Sequence, residues 1–288
     1  MNRHAAICRR ACAAMGTRFE LILCGDDMRH LDDVAIAVCE EILRLDAALS
    51  RYDPRGEIAR LNRHAHQRPV RLDHELFALL RRCEQAREQT GGYFDVTQCA
   101  ALSLDAEQRA AQLTQAGAVV DLGGVGKGYA LESARALLAR FGVTSAFLHG
   151  GTSSALALGD DTWPVSVRHP LQARSQTEWQ TGSQPESQPE LIVAHLGLRN
   201  RAFSCSAARH ADQEQSDIVD PLTGVAINGQ AACLVIADSA VEAEIYSTAL
   251  LAMGRERAMR YLENTAISPM DVGWLEPDLR WISATRPA

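Results

Sequence analysis

Most of this chain's apolar positions fall into runs whose spacing predicts an element. Phe19-Glu-Leu-Ile-Leu-Cys24 is short and apolar and predicts a strand. From Leu31 to Leu49 the apolar residues at 34, 38, 42, 45 and 49 recur at helical spacing. A short helix is expected around Glu57 to Leu61. An amphipathic helix is expected from His74 to Thr90, with Leu76, Leu79, Leu80 and Cys83 on one face and Gly91-Gly92 as its stop. Phe94-Asp-Val-Thr97 leads into a polar, alanine-rich connection. Val119 to Arg140 reads as strand, glycine-rich loop and helix, and Ser145 to His149 as a short strand. Strand material resumes at Leu191-Ile-Val-Ala. Asp217 to Gly224 reads as a turn, Ala232 to Ala237 as a strand, and Ala240 to Met253 as a helix closed by Gly254. Strands and helices mix without strict βαβ alternation, so the expected class is α+β.

One stretch interrupts this pattern. Residues 171–190 hold five glutamines, three glutamates and two prolines, with only three apolar residues. Such a segment buries too little surface to offset its ordering entropy, and is expected to be an exposed insertion in one domain spanning 1–288. The chain's 288 residues suffice for a full core. A formal charge of −7 argues against a general nucleic-acid surface. No apolar run approaches the roughly 18 residues needed to span a bilayer. The opening residues lack the long apolar stretch of a secretory signal, so neither export nor a membrane anchor is expected. The eight cysteines form no CxxC pair and read as scattered reduced thiols in a cytoplasmic protein.

The candidate chemistry starts at Val120-Asp121-Leu122-Gly123-Gly124-Val125-Gly126-Lys127-Gly128-Tyr129. Four glycines and a lysine within eight positions precede a good helix former. Such a loop lets backbone N–H groups approach an anion, the helix N-terminus favours negative charge, and Lys127 adds a mobile cation. A tight structural turn is the competing reading. Neither standard nucleotide motif fits. Gly128 stands where the phosphate loop needs Ser or Thr, and Gly124, Gly126 and Gly128 are not spaced as a dinucleotide fingerprint.

Five segments taken together say more. They are Met15-Gly16-Thr17; Ser50 to Asn62, which begins Ser-Arg-Tyr-Asp-Pro; Gly92-Tyr-Phe-Asp-Val-Thr97; Val120 to Tyr129; and Asp217 to Gly224 with Ala243-Glu-Ile-Tyr-Ser-Thr-Ala-Leu250. In this order and spacing the chain resembles the ApbE-like family, the FAD:protein FMN transferases, from about residue 13 to 260. The resemblance implies a single α+β, T-fold-like domain with mixed sheets and packed helices. It implies FAD as substrate, with magnesium at the diphosphate. FMN would pass to a threonine hydroxyl of an acceptor protein, with release of AMP. Some members hydrolyse FAD to FMN and AMP instead, and an impaired paralogue would bind flavin without turnover.

Residue by residue, the resemblance implies that Met15, Tyr52, Tyr93, Phe94, Asp95, Asp121 and Lys127 contact FAD. Gly124, through its carbonyl, Glu244 and Thr248 are implied to hold the metal. Two positions depart from the family pattern. Glu244 stands where an aspartate is usual; it keeps hard oxygen ligands but is one methylene longer. Asp217 stands where the family carries the histidine implicated in FMN transfer. With an ordinary pKa of about 4 it is a weaker base than imidazole at neutral pH. His210 and His149 are the other imidazoles considered for that role.

Overall fold

The computed structural model describes residues 5–97, 100–115, 117–168, 192–208, 218–227, 232–265 and 270–275, and the backbone of 281–285. The chain begins with β1 (Ala6–Ala14), β2 (Thr17–Gly25), α1 (Met28–Leu49), α2 (Glu57–His64), β3 (Val70–Arg71) and α3 (His74–Gln89). Next come β4 (Leu102–Asp105), β5 (Ala110–Leu113), α4 (Gly126–Arg140), β6 (Ser145–Gly150), β7 (Ser154–Leu158) and β8 (Trp163–Arg168). They are followed by β9 (Ile192–Leu198), β10 (Ala202–Ala207), β11 (Val219–Asp220), β12 (Val225–Ala226) and β13 (Ala232–Ala237). The last elements are α5 (Ala240–Met253), α6 (Arg255–Asn264), β14 (Asp271–Leu275) and β15 (Trp281–Thr285).

Eight strands form the main sheet, in the order β1-β2-β6-β7-β10-β13-β14-β15. Its strand pairs are antiparallel throughout, a narrower pattern than the mixed sheets expected. Helices and sheet are segregated, which makes the fold α+β. Helices α1, α4 and α5 cover one face, where Leu21 and Leu23 of β2 meet Val38, Ile42 and Leu45 of α1, all at most 1% exposed. Burying each such side chain contributes roughly 1.5–3 kcal/mol. The other face carries Ala155, Phe203, Leu234 and Ile236 under the antiparallel β8–β9 pair, with Phe147 stacked on Trp163.

Local chemistry explains the helix ends. Asp27, Asp73 and Ser239 cap α1, α3 and α5, each side chain accepting free N–H groups of the first turn. Gly254, at φ 70°, ends α5. The turn between β1 and β2 is Met15-Gly16, at φ 52° and 68°, a two-residue hairpin with both central residues left-handed.

One expected strand is absent. Val119-Val120 pairs with no strand. The Asn62 side chain of α2 grips Val120 instead, accepting its N–H at 2.7 Å and donating to its carbonyl at 2.9 Å. The next N–H, of Asp121, donates to the Val96 carbonyl at 2.8 Å. An amide side chain thus satisfies backbone that a ladder would otherwise pair. The polar insertion at 171–190 lies outside the described residues. No helix among the described residues is long and apolar enough to cross a membrane.

Candidate functional site

The glycine-rich segment becomes the start of a helix. α4 begins at Gly126, so Gly126, Lys127 and Gly128 form its first turn, and no side chain of the preceding loop caps it. The cap comes from 116 residues away: Glu244 Oε2 accepts the Gly128 N–H at 2.8 Å. Gly128 is required by packing. A Cβ there would lie 2.4 Å from the Ala240 carbonyl oxygen, because α4 crosses the start of α5 at backbone contact. Gly126 faces Met15, whose sulfur lies 3.8 Å from where its Cβ would be. Met15, at the left-handed β1–β2 turn, thus lies beside the helix start.

Glu244 is 3% exposed on the inner face of α5. Its Oε1 accepts the Ser154 hydroxyl of β7 at 2.6 Å, and Lys127 Nζ stands 3.5 Å from the same oxygen. One turn further along α5, Thr248 joins a chain of hydroxyls. Ser206 lies 3.1 Å from Thr248 and 2.8 Å from Ser247, and Ser204 lies 3.1 Å from Ser247. A Cβ on Gly124 would lie 3.9 Å from Thr248 Oγ1 and 3.8 Å from the buried Phe94 ring. The fold therefore gathers Gly124, Lys127, Glu244, Thr248 and Phe94 around the first turn of α4.

The other candidate residues stand in local networks of their own. Asp121 accepts the Gly123 N–H at 2.9 Å and pairs with Arg51 at 3.3 Å. Arg51 also donates to the Tyr52 hydroxyl at 2.6 Å and lies 4.7 Å from that ring's centre. Tyr52 itself is 78% exposed. The Tyr93 hydroxyl accepts from Arg257 of α6 at 2.7 Å. Asp95 Oδ1 is turned inward, accepting the Thr97 N–H and hydroxyl at 2.7 and 2.6 Å, so its visible work is to close that turn. His149 is engaged with the Gly151 carbonyl at 2.9 Å and with Glu20 at 3.4 Å. Asp217 and His210 lie outside the described residues. The turn after Asp217 packs on the Gly92 loop, with Leu222 Cδ2 3.1 Å from where a Gly92 Cβ would be.

Comparison with known proteins decides the family. The model of the ApbE family matches residues 15–106 and 98–270. The chain belongs to the ApbE family. It is 26% identical to an FAD:protein FMN transferase of Treponema pallidum (strain Nichols), over 85% of this chain and 78% of that protein. The fold matches an ApbE protein of Thermotoga maritima with a TM-score of 0.81 at 19% identity, covering 97% of both chains. It also matches the flavin transferase ApbE of Vibrio cholerae with a TM-score of 0.77 at 17% identity, again covering 97% of both.

Within this ApbE-family chain, the tertiary structure adds residues that spacing did not single out. Arg51 links Tyr52 to Asp121, and Ser154 and Ser206 reach Glu244 and Thr248. A signal for the serines was present: Ser204 and Ser206 alternate on one face of an otherwise apolar strand. Among the described residues no cluster of three or more His, Cys, Asp or Glu side chains gathers to hold a metal. The oxygen groups here are one carboxylate, the hydroxyls of Thr248, of Ser206 next to it and of Ser154 next to Glu244, and backbone carbonyls.

Proposed function

We propose that this ApbE-family chain is an FAD:protein FMN transferase. It transfers FMN from FAD to a threonine hydroxyl of an acceptor protein and releases AMP, with magnesium required. The observation that carries this reading is Lys127 in the first turn of α4, at the end of the glycine-rich loop and beside Glu244, in a chain that matches the family from residue 15 to 270.

Lys127 receives the FAD diphosphate beside the start of α4. Met15 and Phe94 flank the helix start with apolar surface. Arg51 holds Tyr52 and Asp121 together. Gly124, Glu244 and Thr248 offer only oxygen donors, a set that suits magnesium. Lys127 already balances the one carboxylate, so the diphosphate brings the negative charge that a divalent cation needs. Magnesium when bound neutralises charge on the phosphates. In the transfer, the threonine oxygen bonds to the FMN-side phosphorus. The bond from that phosphorus to the bridging oxygen breaks, and AMP leaves with that oxygen. The threonine proton passes to a base, for which Asp217 stands at the family's position. We place the protein in a reducing, cytoplasmic setting, with which unpaired thiols at the seven described cysteines are compatible.

The aspartate at 217 favours a second reading, an FAD pyrophosphatase that uses water and yields FMN and AMP. A protein that binds FAD without turnover is the third. Incubation of the purified chain with FAD and magnesium, with and without a threonine-containing acceptor peptide, separates them. Transferase activity gives AMP together with a fluorescent acceptor. AMP without labelled acceptor indicates hydrolysis, and FAD binding without AMP leaves a flavin-binding protein.

A further inference from the structure

A cavity of about 410 Å³ opens between α2 and β3, lined by Arg60, Arg63, His64, Arg68 and Arg71 together with Pro69 and Val70. None of the candidate site residues lines it. The charge there runs against that of the whole chain, which is −7. Arg60 is balanced by Glu57 at 3.0 Å and also donates to the Arg71 carbonyl at 2.8 Å. Arg63 donates to the Pro54 carbonyl at 3.0 Å, which satisfies a hydrogen bond but neutralises nothing. Among the described residues no carboxylate pairs with Arg63, Arg68 or Arg71. Arg63 and His64 occupy the last turn of α2 and complement its dipole. That accounts for neither Arg68 nor Arg71, which follow the helix and are exposed. Gathering these cations in one concavity costs Coulomb repulsion that an anion would relieve.

We propose that this cavity binds a small, multiply charged oxyanion of the phosphate or diphosphate class. Its volume lies in the range of small-molecule sites, roughly 300–1,000 Å³. Guanidinium forks match phosphate oxygens in pairs. A concave site of this size favours a compact anion over an acidic protein surface. α2 connects the cavity to the first site. On its other side Asn62 holds Val120, next to Asp121, and Arg63 holds Pro54 in the loop that carries Tyr52.

The test titrates inorganic pyrophosphate into the full chain saturated with FAD and free of magnesium, read by calorimetry. Binding at or below about 1 mM is expected, weakened at least about tenfold in Arg68→Gln/Arg71→Gln and unchanged in Arg9→Gln, an exposed arginine on β1. Added salt should weaken it, since exposed charges are screened. No binding, or binding that survives the double substitution, overturns the proposal. So does capture of poly-glutamate that pyrophosphate fails to displace. If the chain does not bind FAD, the transferase reading fails while the comparison of wild type with the double variant still judges this one.

Discussion

Glu244 caps the helix that begins at Gly126, its Oε2 accepting the Gly128 N–H at 2.8 Å although the two residues stand 116 positions apart. Its other oxygen takes the Ser154 hydroxyl at 2.6 Å. The side chain proposed to face the metal is therefore also the link between α4, α5 and β7. Glu244→Ala strands a buried N–H and a buried hydroxyl, and should destabilise the protein by about 2–4 kcal/mol. Glu244→Asp keeps the charge but shortens the reach by one methylene, so it should retain magnesium response while losing part of that stability. Denaturant unfolding of the two variants checks this, and wild-type stability in Glu244→Ala would refute the capping role.

The glycines of the loop should respond unequally. Gly128→Ala drives a methyl toward the Ala240 carbonyl, 2.4 Å away, and should cost about 1–3 kcal/mol. At Gly126 the nearest atom, Met15 Sδ, is in ordinary contact at 3.8 Å, so Gly126→Ala should fold at least as well as wild type. Thermal melts compare the pair directly, and equal melting temperatures would count against the close crossing of α4 and α5.

Lys127 is proposed to balance Glu244 until the diphosphate arrives. Manganese binding, read by electron paramagnetic resonance, should be weak in the FAD-free protein and strengthen when FAD is added. Lys127→Met should weaken FAD binding by about tenfold or more, the loss of a charge-assisted contact. Strong manganese binding without FAD in the wild-type protein would show that the diphosphate is not needed.

Glu132 of α4 ties three helices together. It pairs with Arg82 of α3 at 2.6 Å, accepts the Val241 N–H at 3.2 Å, and receives the Ser239 hydroxyl. Burial pushes its carboxyl up, and the Arg82 guanidinium with the Ser239 hydroxyl outweighs this, leaving it below the ordinary 4.5. Glu41, bonded to Arg44 and Ser133, is lowered likewise. A carboxyl held lower in the folded than in the unfolded chain stabilises fully above the unfolded value, and that stability is lost as pH falls through the folded one. The melting temperature should therefore drop below about pH 4.5, and Glu132→Gln should flatten that drop. Melts from pH 7 downward decide it.

Asp217 sets the rate expectation. If it supplies the base for transfer, the wild-type protein should transfer FMN slowly, and Asp217→His should accelerate transfer about tenfold or more. A fast wild-type enzyme whose rate falls in acid, with Asp217→Asn inactive, would mean that the aspartate already serves as the base.

Much of the fold was readable from spacing because its elements carry one-sided apolar faces. α1, α2, α3, β13 and α5 lie close to where periodicity put them. β1 was missed because its apolar face is alanine and cysteine set between arginines, residues with little strand preference. β4 and β5 were hidden in a short alanine-rich connection. The strand expected at Val119-Val120 failed because its backbone partner is a side chain, Asn62, 58 residues earlier, which no local pattern announces.

The sequence by itself determined the α+β class, the ordered motifs that carry the family, and the chemical types available at the site: a lysine beside glycines, a carboxylate and a threonine one helical turn apart. Those follow from local spacing, because a helix or strand repeats at a fixed period. Only the tertiary structure decided that Glu244 caps α4, that Ser154 bonds Glu244 and Ser206 bonds Thr248, that Gly128 is glycine because α5 touches it, and that Arg51 joins Tyr52 to Asp121. Apart from the Arg51 pairings to nearby Tyr52 and distant Asp121, these contacts join residues from 42 to 116 positions apart. Long-range contacts of this kind are set by how whole elements pack, and local periodicity carries no record of them.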